Sequence, residues 1–80
     1  MTWKEVVKTA KYKWVVIEVI KAKSENGKRI IEDMNLLAEY ESGGEALKDY
    51  AKRKKENKEK EFYVHDSTVD FLDIDEVKLD

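Results

Sequence analysis

Apolar positions change their period along this chain, and the changes mark its elements. In Thr2-Trp3-Lys4-Glu5-Val6-Val7 a hydroxyl is followed by a glutamate three positions on, and Trp3, Val6, Val7 and Ala10 fall at helical spacing. That combination predicts a short capped helix ending near Ala10. Trp14 to Lys23 holds a near-continuous apolar run, interrupted by Glu18 and rich in β-branched residues. Such a run predicts a strand buried on both faces. Asn26-Gly27 follows, the pair best suited to a tight hairpin because both residues tolerate positive φ. A hairpin there places Val15 opposite Ala38, Ile17 opposite Leu36 and Val19 opposite Met34, with Lys21 facing Glu32. A slip of one residue would turn every apolar side chain to the wrong side, so the agreement favours the hairpin. The competing reading makes Lys28 to Leu37 a helix, since Ile30, Met34 and Leu37 also fit that period.

Ser42-Gly43-Gly44-Glu45 opens a second helix, with Ser42 as N-cap and Glu45 closing another capping box. Its apolar stripe is Ala46, Leu47, Tyr50 and Ala51. From Lys52 to Lys60 no large apolar residue appears, so the helix is expected to pack through its first two turns. Phe62-Tyr63-Val64-His65 reads as a short strand, and Val69 to Leu79 fits neither period. The fold class is therefore α+β, in the order helix, hairpin, helix, strand (αββαβ). The most apolar strand belongs in the middle of a three-stranded, mostly antiparallel sheet of order 2-1-3, with the second and third strands parallel across it. The long helix is expected over the face carrying Val15, Ile17, Val19, Leu36, Ala38 and Tyr40. Trp14, Val16, Ile20, Leu37 and Tyr63 are placed on the other face. An apolar set of that size calls for a cover: the N-terminal helix, the C-terminal segment or a second molecule.

Composition narrows this picture. With 80 residues, no cysteine, no proline and three glycines, the chain holds one domain (1–80) and no disulfide framework or thiolate metal site. The longest apolar run is too short to cross a bilayer, and Glu18 splits it in a way a signal peptide does not tolerate. No membrane partner is expected, and a cysteine-free chain fits a reducing, cytoplasmic location. Formal charge is -2 overall, but residues 61–80 carry one lysine against seven acids. They follow directly on the basic run Lys52-Arg53-Lys54-Lys55. Residues 66–80 are accordingly expected to form a partly flexible acidic tail.

Candidate chemistry is thin. His65-Asp66-Ser67 holds the residue types of a hydrolytic triad, yet neighbours in a strand point to opposite faces and cannot converge. The carboxylates Asp66, Asp70, Asp73, Asp75 and Glu76 lack the glycine and distal glutamate of a calcium loop. Ser42-Gly43-Gly44 lacks the lysine of a phosphate loop. No enzyme activity and no cofactor or metal is expected. The leading expectation is a non-enzymatic interaction module, engaging a protein partner or a second copy through the uncovered sheet face, its edges or the acidic tail. Its candidate contacts are Trp3, Trp14, Val16, Ile20, Leu37 and Tyr63. The alternative is a nucleic-acid accessory protein contacting phosphates through Lys52, Arg53, Lys54, Lys55, Lys58 and Lys60. Lysines interleaved with Trp3, Tyr12 and Trp14 add the aromatic element of a single-strand surface.

Overall fold

A computed structural model of the chain describes residues 1–69 and 72. The elements are α1 (Trp3–Thr9), β1 (Trp14–Glu25), β2 (Lys28–Tyr40), α2 (Gly43–Glu56) and β3 (Phe62–Asp66). They build an α+β domain around an antiparallel sheet of order β2-β1-β3, the order the apolar pattern predicts. Residues 28–37 are extended, so the helical alternative for that segment falls. At the hairpin, Asn26 and Gly27 adopt φ of 51° and 77°, the left-handed pair that a two-residue turn between twisted strands requires.

Local chemistry closes the helices as the residues dictate. Thr2 accepts from the Glu5 amide while the Glu5 carboxylate accepts from the Thr2 amide, completing the capping box of α1. At α2 only half of the expected box forms: the Ser42 hydroxyl accepts from the amides of Gly44 and Glu45. The basic residues Arg53, Lys54 and Lys55 lie in the last turn of α2, where they oppose the negative end of its dipole.

Which helix covers which face differs from the sequence expectation. α1 packs on the side carrying Val15 and Ile17, where Trp3, Val6 and Met34 complete a buried cluster. α2 covers the opposite side: Tyr40 donates to Asp49 of α2, and Gly43 approaches the Trp14 ring so closely that a Cβ would sit 3.3 Å from it. Val16 and Ala46 are fully buried, and Phe62 nearly so.

A β-bulge is the reason. Ile17 and Val19 do face Leu36 and Met34, as the hairpin register requires. Between Val16 and Ile17 the register shifts, and Leu37 becomes an extra residue on β2. Val15 then faces Glu39 rather than Ala38, and Val16 faces Ala38. Ala38 and Tyr40 thereby move to the α2 side, while Leu36 and Met34 stay with α1. A second irregularity pairs Lys21 with Asp33, though the Lys21 ammonium still reaches Glu32 at 3.4 Å. Tyr63 faces Ile17 and packs against the α1 cluster, not beside Trp14.

With both sides of β1 enclosed, the sheet leaves no face bare along the stretch it shares with β3. The segment after β3 crosses the α1 side: the Trp3 indole donates to the Val69 carbonyl at 3.0 Å, and Leu72 packs on the cluster. Asp66 to Val69 are thus built into the fold. The remaining residues of the expected acidic tail, 70, 71 and 73–80, lie outside the described residues. Ile17→Ala is expected to cost about 2–5 kcal/mol in a urea titration, because Ile17 is fully buried. Leu47→Ala, on the exposed side of α2, should stay within about 0.5 kcal/mol.

Candidate interaction site at the sheet edge

Five of the six apolar residues singled out from the sequence are engaged inside the domain. Trp3 and Val16 are buried, Trp14 packs on Gly43, and Leu37 is the half-buried bulge residue. The half-buried Tyr63 hydroxyl donates to Glu61 at 2.5 Å. Only Ile20 is free, at 52% exposure. It sits where β1 and β2 run on past β3 as a two-stranded ribbon, because β3 pairs only with Trp14 to Glu18.

That ribbon is tied down by a cluster the sequence reading did not foresee. Arg29 near its tip grips the Glu61 carboxylate with two bonds, Nε to Oε2 at 2.9 Å and Nη2 to Oε1 at 2.7 Å. Its Nη1 also donates to Ser24 at 3.2 Å. The guanidinium holds Glu61 below the usual carboxylate range, and burial together with the Glu61 bond pushes the Tyr63 hydroxyl up to about 12. A charged, forked pair of this kind fixes direction as well as adding stability. No periodic signal marks it, since its members lie 32 positions apart.

The basic end of α2 is less available than its sequence suggests. Arg53 donates to Asp49, Lys54 to the Lys60 carbonyl at 2.9 Å, and Lys60 reaches Glu18 at 3.4 Å. Lys52, Lys55 and Lys58 stay exposed. A groove of about 470 Å³ beside Tyr40 is lined alternately by acids and bases, among them Glu45, Lys48, Asp49 and Lys52. Burial would raise Asp49, but the bonds from Tyr40 and Arg53 outweigh it and hold its carboxyl below the ordinary range. Asp49 is thus satisfied from within the domain.

Residues 65–67 separate just as strand geometry demands. The His65 ring meets Trp3 edge-on at 5.3 Å on the α1 side. The Ser67 hydroxyl is buried and donates to the Tyr12 carbonyl at 2.8 Å. Asp66 accepts from the Thr68 amide and hydroxyl, which keep its carboxyl below the ordinary range. Among the described residues no acid, histidine or cysteine cluster could hold a metal, and no helix is long and apolar enough to cross a membrane.

The sheet edges remain, and they are unequal. On β2 the edge is occupied at Met34: its amide donates to the Met1 carbonyl at 2.9 Å, and the Met1 amino group donates back to the Met34 carbonyl at 2.9 Å. Asp33 accepts from the same amino group at 2.6 Å. On β3, hydrogen bonds from Val19 to the Glu61 carbonyl and from Ser67 to the Lys13 carbonyl bracket the ladder. Bonded pairs alternate in an antiparallel ladder, so Tyr63 and His65 turn their main chain toward β1. Phe62 and Val64 turn theirs outward, and among the described residues nothing pairs with them. Natural edges are guarded by lysine, proline, bulges or brevity. Within β3 the guards are its five-residue length and the terminal Asp66. The sequence carried this signal, in a short apolar run with no proline or lysine inside it.

Comparison with protein-family models, with curated proteins and with solved structures finds no match for this chain.

Glu61→Gln is expected to lower stability by about 1–2 kcal/mol at neutral pH, because it removes a charge from a forked pair. Glu61 titrates below its ordinary 4.5 when folded, so its contribution is full above that value and is lost as the pH falls through the folded value. The difference in urea midpoint between wild type and variant should therefore close on acidification. A difference that persists in strong acid would remove the ion pair as its cause.

Proposed function

We propose that this chain is a non-enzymatic protein-interaction module that receives an extended segment on the outer edge of β3. The observation that carries the reading is the outward-facing main chain of Phe62 and Val64, unpaired among the described residues. Strand addition uses main-chain bonds for affinity and alternate side chains for selectivity, and it suits a domain whose sheet faces are already covered. Phe62 and Val64 offer two amides and two carbonyls. At about 0.5–1.5 kcal/mol net per bond, these support a weak, reversible contact that neighbouring side chains must strengthen.

The alternative, contact with nucleic acid, has the weaker support. Arg53, Lys54 and Lys60 are occupied within the domain, which leaves Lys52, Lys55 and Lys58 for phosphates. A photo-crosslinking side chain at Val64, with a matched control at Leu47, tests the reading in the cell that makes the protein. Protein cross-links, to this chain or to another, are expected to concentrate at position 64. Equal yields at both positions would remove the edge as the docking site.

A further inference from the structure

We infer that the occupant of the β3 edge is a second copy of the same chain, with two β3 strands antiparallel about a two-fold axis at Tyr63. This rests on the edge-docking reading and names its partner. The argument comes from which groups are free and what would face them. In this register Phe62 of each copy lies opposite Val64 of the other, and the two residues exchange both of their main-chain bonds. These are the outward-facing groups the described residues leave unpaired, so no existing bond need break.

Charge follows the same register. Lys60, which reaches Glu18 in its own copy, comes opposite Asp66, and Glu61, gripped by Arg29, comes opposite His65. These internal pairs are shared rather than opposed, and no like charges meet across the axis. Shifting the strands by two residues, to centre on Val64, would face Phe62 with the Asp66 carboxylate and lose both complementary pairs. Phe62 and Val64 lie on the α2 side of the sheet and Tyr63 on the α1 side. An axis perpendicular to the sheet therefore keeps like layers together: the two α2 helices share one side, and one continuous six-stranded sheet runs through the dimer. A two-fold contact of β3 with β3 uses the same edge on both copies and so ends at two, while Met1 occupies the opposite edge at Met34.

Sedimentation equilibrium from roughly 10 µM to 1 mM, with amide exchange on the same samples, tests the inference. A monomer–dimer equilibrium is expected, in which the Phe62 and Val64 amides slow as concentration rises while those of Tyr63 and His65 do not change. Lys60→Glu and Asp66→Lys should each weaken association about tenfold, and the double variant should restore it. A purely intramolecular role for these charges would not produce that rescue. A strict monomer with both amides exchanging freely overturns the second copy as occupant but leaves the edge open to another protein. Protection of both amides in a protein that sediments as a monomer at every concentration means the chain closes its own edge, which overturns this inference and the docking reading together. A dimer without protection at Phe62 and Val64 overturns the placement.

Discussion

Burying one strand on both sides is the constraint from which the rest of this domain follows. Val15, Val16 and Ile17 are consecutive and all fully inaccessible, so successive side chains point into opposite layers and each layer needs its own cover. The described residues form two helices, and both are used, one per side. The shorter one brings large residues, Trp3 and Val6. The longer one brings small ones, Gly43 and Ala46, and lies close against Trp14. Neither core is large. Each is completed by a device that costs little chain: a bulge in β2 on one side, the return of Val69 and Leu72 on the other.

Much of this was legible in the amino-acid pattern, and the failures have a common origin. Capping residues, the Asn-Gly turn, the central position of the apolar strand and the sheet order all follow from local chemistry or from the hydrophobic period. What did not follow is the sidedness. Alternation read from the turn assigns Ala38 and Tyr40 to the same face as Ile17, and, past a compensated irregularity at Lys21, it still places Met34 and Leu36 correctly. The extra residue at Leu37 reverses it, and a bulge has no compositional mark when the bulged residue is a leucine. One shifted register exchanged the helices between faces and left a bare apolar surface that the molecule does not have.

The candidate site moved for the same reason. Once both faces of the shared sheet are covered, Trp3, Trp14 and Val16 act in folding, and apolar surface gives way to main-chain hydrogen bonding as the feature that could meet a partner. An edge strand is recognised by what its backbone lacks, which a residue pattern conveys only through the absence of guarding residues. The Arg29–Glu61 pair was equally hidden, because its members meet only when β1 is threaded between them. Charged groups far apart in the chain carry no sign of their meeting until the strand order is known.

Beyond Val19 the ribbon of β1 and β2 runs on past β3, held by Arg29 on Glu61, and Asn26-Gly27 at its tip is exposed. Its length is therefore an independent variable of the design. Two residues could be inserted or removed symmetrically about the tip without reversing which side any core side chain faces, so long as Arg29 keeps its distance from Glu61. Relatives of this domain, if they share its architecture, would be free to differ in the reach of this arm while holding the enclosed stretch from Trp14 to Ile17 constant.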